Sequence, residues 1–199
     1  MTSTLRRLLG GVSMIFGLGV LATFALPVSA ASADLINLGA CNTSPLSQPF
    51  APWSDPAWYE LAPAGDFESP GWTLDGGAEL VPGSEPYAAT GTLGASSVSL
   101  PAGSSAQSPL TCVDAAYPTV RFFIAGDGIV AASLVEGGLA IPAGVAVGSG
   151  DWTPTPVMLT TAPLLGLLSG GTAQVSLRIT AITGDPKVDD VFIDPWNRG

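Results

Sequence analysis

Acidic side chains stand inside two apolar stretches of this chain, one early and one near its end. Residues 65–72 read Gly-Asp-Phe-Glu-Ser-Pro-Gly-Trp and contain Asp66 and Glu68. Residues 188–193 read Val-Asp-Asp-Val-Phe-Ile and contain Asp189 and Asp190. An ionised carboxylate is costly to bury unless a metal ion, a basic side chain or hydrogen-bond donors meet it. The two stretches therefore predict that folding brings carboxylates of the first and last strands together.

The residue types limit the chemistry that these carboxylates can perform. The chain has no histidine, which excludes Ser-His-Asp and Cys-His catalytic systems and ordinary zinc sites. Paired carboxylates remain the one catalytic option, because glycosidases need only two. On a regular strand, however, Asp189 and Asp190 point to opposite faces and cannot flank one bond. We therefore expect no enzyme, and a carboxylate-dependent glycan-processing enzyme is the least favoured alternative.

Aromatic residues in predicted loops are the candidates for ligand binding. Trp53, Trp58 and Tyr59 lie within seven residues and form the first candidate platform, and Trp152 is the second. Large, rigid, amphipathic rings suit the faces of sugar rings, and loops commonly carry binding residues. The alternative is that each ring covers one end of the fold. Further aromatic residues in predicted loops are Tyr87, Tyr117 and Trp196.

The first thirty residues predict export. Arg6 and Arg7 precede an apolar run over 8–26, and small residues follow, with cleavage sites near Ala30 or Ala33. A retained membrane anchor is the alternative. Cleavage after Ala30 leaves 169 residues, four basic against sixteen acidic, and a net charge of −12. This charge argues against nucleic acid and anionic membrane surfaces as partners. We expect a secreted, extracellular protein, with association to the cell wall as a further option.

The two cysteines, Cys41 and Cys112, are expected to form one disulfide in an exported chain. Residues 38–41 read Leu-Gly-Ala-Cys, which is similar to a bacterial lipoprotein cleavage box, so lipidation of Cys41 is the alternative. In the chain-entropy model the disulfide would stabilise the fold by about 4 kcal/mol.

Hydrophobic periodicity predicts an all-β domain, an antiparallel β-sandwich of jelly-roll type. Residues 173–181 alternate apolar and polar side chains, and Ile182 breaks the phase as a bulge or a strand end would. We expect residues 31–59 to form an irregular N-terminal arm, residues 60–199 to form the sandwich, and residues 162–168 to form one helical turn. Turns are predicted at 75–77, 82–83, 101–103, 126–128, 136–138, 148–150 and 183–186. The other predicted strands cover 72–75, 78–81, 96–100, 119–125, 129–135, 138–141 and 187–193.

The chain resembles galactose-binding-like jelly rolls, the fold of carbohydrate-binding modules attached to bacterial glycanases. The resemblance is carried by Phe67-Glu68, Gly71-Trp72 and the Gly-Gly-Ala at 76–78, and by the closing strand at 188–193. The whole chain looks like uncharacterised secreted actinobacterial proteins. Those proteins share the paired cysteines, the Arg-Phe-Phe at 121–123 and the Asp-Pro-Trp at 194–196.

This resemblance implies a structural calcium ion between the first and last strands. Its implied ligands are Glu68 and one of Asp189 or Asp190, with Asp66 as a further candidate. The alternative is that these carboxylates pair with Arg121, Arg178 or Lys187, or cap turns. The resemblance also implies a non-catalytic module that binds extracellular or cell-envelope glycans. A structural or protein-interaction component of the envelope or matrix is the alternative, because residues 129–147 form a long apolar stretch.

Overall fold

Strands make up nearly all the regular structure in the computed structural model, which describes residues 45–114, 119–159 and 172–194. A 3-10 turn covers Ala51–Trp53. The strands are β1 Leu46–Ser47, β2 Tyr59–Leu61, β3 Thr73–Asp75, β4 Glu79–Pro82, β5 Ser96–Ser99, β6 Ser105–Gln107, β7 Thr111–Asp114, β8 Thr119–Glu136, β9 Leu139–Pro154, β10 Met158–Leu159, β11 Thr172–Gly184 and β12 Lys187–Asp194. No helix within these ranges is long and apolar enough to span a membrane.

Some of the sequence predictions concern residues outside these ranges. They are the signal peptide, the helical turn at 162–168, and the roles of Cys41, Tyr117 and Trp196. The disulfide between Cys41 and Cys112 therefore stays a prediction.

The long strand β8 organises the sheet. Its first part pairs with β12 and its second part with β11, while β9 and then β10 pair along its other side. Every strand pair between described residues is antiparallel. This arrangement confirms the predicted all-β, antiparallel β-sandwich of jelly-roll type.

Both faces of β8 are buried in its first part. Val120, Phe122 and Ile124 point into the main hydrophobic core, where they meet the alternating apolar side chains of β11. Phe123 points the other way and joins a second apolar cluster, whose buried members are Phe50, Tyr59, Phe123 and Phe192. The strand alternation thus builds one core inside the sandwich and a smaller aromatic core under the N-terminal arm.

Two predicted turns are wrong. The Gly-Asp-Gly at 126–128 lies inside β8, and the Gly-Ser-Gly at 148–150 lies inside β9, with these two segments paired to each other. Gly126 has a φ of +73°, so the glycine bends the strand without ending it. The phase break at Ile182 is confirmed as a bulge, because Ala181 and Thr183 pair with consecutive residues of β8.

The N-terminal arm is more regular than predicted. Leu46–Ser47 forms β1 and pairs with β2, which begins at Tyr59 and pairs with β12. Such two- and three-residue strands among prolines carry no readable alternation. The arm therefore extends the sheet and covers the second apolar cluster.

Candidate functional site

A cleft of about 540 Å³ opens between the N-terminal arm and the loop that follows β4. Trp53 from the arm and Tyr87 from the loop form its aromatic walls, with ring centroids 4.8 Å apart and ring planes at 80°. Tyr87 is 45% exposed. The other described residues that line it are Gln48, Pro49, Pro52, Ala88 and Ala89, and none of them is charged.

An ion pair between a buried arginine and a partly buried aspartate holds the arm against the sheet. The Arg121 guanidinium donates through Nη1 to Asp55 Oδ2, and through Nε and Nη2 to the Thr155 carbonyl oxygen at 3.0 and 2.7 Å. Tyr59 donates its hydroxyl to the same Asp55 oxygen at 2.7 Å. The guanidinium carbon also lies 4.1 Å from the centre of the Phe50 ring. Arm, β2 and β8 are therefore joined at one point.

This network displaces the pKa values of its members. Burial raises the pKa of Tyr59, and the hydrogen bond to the Asp55 carboxylate adds to the effect. Burial also acts to raise the pKa of Asp55, but the hydrogen bonds from Tyr59 and Arg121 outweigh it and leave the pKa below its ordinary value. Asp55 is consequently the anion and Tyr59 the neutral donor of the network.

Glu85 holds the opposite wall of the cleft. Its carboxylate accepts hydrogen bonds from the backbone N–H of Tyr87 and, at 2.8 Å, from that of Ala89. The Tyr87 hydroxyl donates to the Trp152 carbonyl oxygen at 2.6 Å. Glu85 itself is only 1% exposed. The loop is thus fixed from below by a buried carboxylate and from the side by β9.

The predicted aromatic platform forms only in part. Trp53 lines the cleft, but Tyr59 is buried in the second apolar cluster and cannot contact a ligand at the surface, so its predicted binding role is wrong. Trp58 is 44% exposed but does not line the cleft. Trp152 is partly buried against the same apolar cluster and meets Tyr87 through its backbone. The structure therefore pairs Trp53 with Tyr87.

A second polar cluster lies where β12 departs from regular strand geometry. Asp189 pairs with Phe123 and Phe192 pairs with Arg121, so β12 carries one extra residue, and Asp190 has a left-handed φ of +44°. Both aspartates are buried, with 0% and 3% exposure. The expectation that they point to opposite faces assumed a regular strand, and the strand is bulged there.

Hydrogen-bond donors meet Asp189. Its Oδ2 accepts from Ser84 Oγ at 2.6 Å and from the backbone N–H of Glu85 at 2.9 Å. Its Oδ1 accepts from the backbone N–H of Asp190. The Asp190 carboxyl group shares a hydrogen bond with the Glu85 carboxyl group. Three buried carboxyl groups therefore meet at this point, and no motif in the sequence around Glu85 predicts that it is one of them.

The pKa values of the two aspartates reflect this crowding. Burial raises the pKa of Asp189 to about 6, against the opposing hydrogen bonds from Ser84 and the backbone. Burial and the negative charges of Asp189 and Glu85 raise the pKa of Asp190 still further. Near neutral pH a bound proton or a bound cation would therefore lower the electrostatic energy of the cluster.

The early acidic residues lie differently from the expectation. Glu68 is exposed, and its Oε1 accepts from the backbone N–H groups of Ala95 and Ser96 at 2.6 and 2.8 Å. Asp66 is half-buried and interacts electrostatically with Asp190. The only ion pair between described residues is the one of Arg121, so the alternative of basic partners for Asp189 and Asp190 receives no support there. Within 45–114, 119–159 and 172–194, no group of three or more acidic, Cys or His side chains is arranged to hold a metal ion.

No protein-family model matches the chain, and no curated protein matches its sequence. Among solved structures, the C-terminal CBM6 module of the laminarinase LamC from Zobellia galactanivorans is similar at 14% identity and a TM-score of 0.43, over 61% of this chain and 90% of that one. The CBM22-2 xylan-binding domain of Xyn10C from Paenibacillus barcinonensis is similar at 14% identity and a TM-score of 0.42, over 68% and 98%.

A two-module structure, CBM22-1 with the GH10 module of xylanase 10B from Clostridium thermocellum, is similar at 18% identity and a TM-score of 0.47. The match covers 68% of this chain and 28% of the xylanase chain, so this protein spans less than a third of that structure. At TM-scores below 0.5, none of these likenesses bears on the ligand or the activity of this chain.

Proposed function

We propose that this protein is a secreted, non-catalytic β-sandwich that binds an extracellular or cell-wall polysaccharide through the cleft between Trp53 and Tyr87. The observation that carries the proposal is the cleft itself, two amphipathic rings beside the amide of Gln48 in a volume typical of ligand sites. Because the described residues that line the cleft carry no charge and the chain has a net charge of −10, the expected ligand is a neutral glycan.

The buried carboxyl groups support the non-catalytic part of the proposal. Asp189, Asp190 and Glu85 are at most 3% exposed, so a polysaccharide has no access to them. A glycosidase needs two carboxyl groups on opposite sides of the scissile bond. The enzyme alternative would be favoured if the protein released reducing sugar from a polysaccharide and if Glu68→Gln, in folded protein, abolished that activity.

A structural calcium ion at the carboxylate cluster belongs to the same proposal. Carboxylate oxygens are ligands that calcium prefers, and Asp189 and Asp190 would supply them, with Glu85 and Asp66 beside them. These side chains would have to move closer together to share one ion, because the described residues contain no group already arranged to hold a metal. Glu68 would need to leave Ala95 and Ser96 to join them, so we drop it from the ligand set. The ion would neutralise the cluster and stabilise the loop end at Glu85, with no part in ligand chemistry.

Affinity electrophoresis and calorimetry with a polysaccharide panel test the binding role. The panel includes xylan, cello-oligosaccharides and cell-wall polysaccharides. We expect Tyr87→Ala and Trp53→Ala to weaken binding of the retained glycan about tenfold or more, which corresponds to about 1.4 kcal/mol. Trp58→Ala is the matched control, because Trp58 lies on the same arm outside the cleft and should leave binding unchanged. Thermal melting of each variant confirms that it folds.

No binding to any polysaccharide would overturn the proposal and favour a structural or protein-interaction role in the envelope or matrix. Binding that is lost in Trp58→Ala but kept in Tyr87→Ala would retain the function and move the site away from the cleft.

A further inference from the structure

A second cavity of about 390 Å³ lies between the N-terminal arm, β2 and the loop that follows β4. The described residues that line it are residues 45–47 of the arm, residues 61–64 at the end of β2, Thr90 of the loop and Phe192 of β12. None of them is charged, and the volume lies within the range of ligand sites. The cavity is therefore a second candidate site beside the cleft.

The second cavity adjoins the cleft along two facing segments. On the arm, Ser47 lines the second cavity and the next residue, Gln48, lines the cleft. On the loop, Thr90 lines the second cavity and the residue before it, Ala89, lines the cleft. Ala89 packs against the second apolar cluster, and Phe192 is a member of it, so both cavities lie over the same cluster. A polysaccharide chain that lies in the cleft therefore has room for a further sugar unit in the second cavity.

The walls of the second cavity are mainly aliphatic. Leucine, proline and alanine side chains supply most of the described lining, and Phe192 is only 1% exposed, so no open aromatic face is available for stacking. Among the described lining residues, only Ser47 and Thr90 carry side-chain hydroxyl groups, and that of Thr90 donates to the Thr92 carbonyl oxygen at 3.2 Å. An unsubstituted sugar would bury hydroxyl groups there without partners, which costs free energy. A methyl group, in contrast, gains from leaving water at such a surface.

We infer that the second cavity receives an acetyl group on the sugar next to the one in the cleft, so that the ligand is a neutral, acetylated glycan. This inference rests on the function proposed above and narrows the class of its ligand. The acetyl methyl group contacts the aliphatic walls, and the Ser47 hydroxyl group is the side-chain donor for the acetyl carbonyl oxygen. An acetyl group adds no charge, which suits the uncharged lining and the net charge of −10. N-acetyl and O-acetyl substituents share this chemistry.

Isothermal calorimetry of the purified exported protein with two matched pairs of glycans tests the inference. Chitohexaose and cellohexaose differ only in the acetamido group that replaces one hydroxyl group on each sugar. Acetylated xylan is compared with the same xylan after alkaline deacetylation. In at least one pair, we expect the acetylated glycan to bind about tenfold or more tightly than its counterpart, because a methyl group is buried and a hydrogen bond is gained. The pair that shows the preference distinguishes an N-acetyl from an O-acetyl ligand.

Thr90→Phe fills the second cavity from an exposed position of the loop. This variant is expected to lose the preference for the acetylated glycan and to bind the unacetylated one as the wild-type protein does. Thr92→Phe is the matched control, because Thr92 is exposed on the same loop and lines neither cavity, so this variant should keep the preference. Thermal melting shows whether both variants fold.

Equal binding within both pairs would overturn the inference and leave the proposed function in place. A preference that persists in folded Thr90→Phe would also overturn it, because the acetyl group would then be bound elsewhere. If neither acetylated glycan binds, the inference fails. Binding of cellohexaose or deacetylated xylan in the same assay would then show that the proposed function still stands, so the two proposals fail distinguishably.

Discussion

Asp190→Asn should make the metal-free protein more stable at alkaline pH. The substitution keeps the size of the side chain and removes one charge from a cluster of three buried carboxyl groups. Asparagine also tolerates the left-handed φ of this position. Neutralising Asp190 relieves Asp189 of the adjacent negative charge, so we expect the variant to gain stability while chelator is present.

The direction of the effect follows from the raised pKa of Asp190, and the neighbouring Asp189 shows how much burial costs an ionised carboxylate here. A change from 3.8 to about 6 corresponds to about 3 kcal/mol of unfavourable interaction with the ionised carboxylate. The folded pKa lies above the unfolded value, so the folded protein binds more protons between about pH 4 and pH 8. Stability without metal therefore falls as the pH rises through this window. Asp190→Asn removes one of the two groups with a raised pKa, so the fall should be shallower by up to about 1.4 kcal/mol per pH unit within this window.

Urea denaturation followed by tryptophan fluorescence at pH 5 and pH 8 measures both effects, with chelator and with calcium. In calcium the order should reverse, because the variant lacks a carboxylate that the ion would bind. Asp151→Asn changes an exposed side chain of β9 and is the control. It should leave the difference in stability between pH 5 and pH 8 unchanged, both in chelator and in calcium. A wild-type stability that is constant or rises from pH 5 to pH 8 in chelator would refute the reasoning. If calcium stabilised Asp190→Asn as much as the wild-type protein, the proposed calcium site at this cluster would be refuted.

Three further predictions concern how the fold is held. Asp55→Asn leaves Arg121 buried without its anion and should cost about 3 kcal/mol in urea denaturation, and the wild-type contribution should fade as the pH falls below about 4. Gly65→Ala should cost about 2 kcal/mol, because its new Cβ would lie 2.7 Å from the backbone oxygen of Val191. Reduction of a disulfide between Cys41 and Cys112 should lower the melting temperature, and intact mass after alkylation should detect no free thiol beforehand.

Each of these predictions has a clear contrary result. Equal stability of Asp55→Asn and wild type would show that the Asp55 carboxylate contributes nothing to the free energy of unfolding. An unaffected Gly65→Ala would mean that the chain at Val191 can shift. Two alkylated thiols in the native protein would show that Cys41 and Cys112 do not form a disulfide.

The fold was predictable where alternation is long and was missed where the chain is short or bent. The period of two over residues 173–181 predicted β11, and the phase break at Ile182, compatible with a bulge or a strand end, is a bulge. Gly126 and Gly128 were read as a turn because glycine serves both turns and strand bends, and only the pairing partners distinguish the two. β1 has two residues, too few to show any period.

The sequence pointed to aromatic residues in loops, but it did not show which of them lie together in the folded chain. Loop position singled out Trp53, which lines the cleft, but nothing in the sequence linked it to Tyr87, which lies 34 residues later. Glu85 stands alone between serine and proline, and its importance comes from contacts with β12 about 104 residues away. The burial of both Asp189 and Asp190 depends on one left-handed backbone angle, which hydrophobic periodicity does not encode.

The two walls of the cleft belong to different parts of the chain, and this division has a consequence for the evolution of specificity. The wall that carries Trp53 lies on the arm outside the main core, whereas Tyr87 stands on a loop fixed to β12 through Glu85. A substitution or insertion in the arm can reshape one side of the cleft while Asp55 still pairs with Arg121. The shape of the cleft can thus change through the arm while the sandwich stays unchanged.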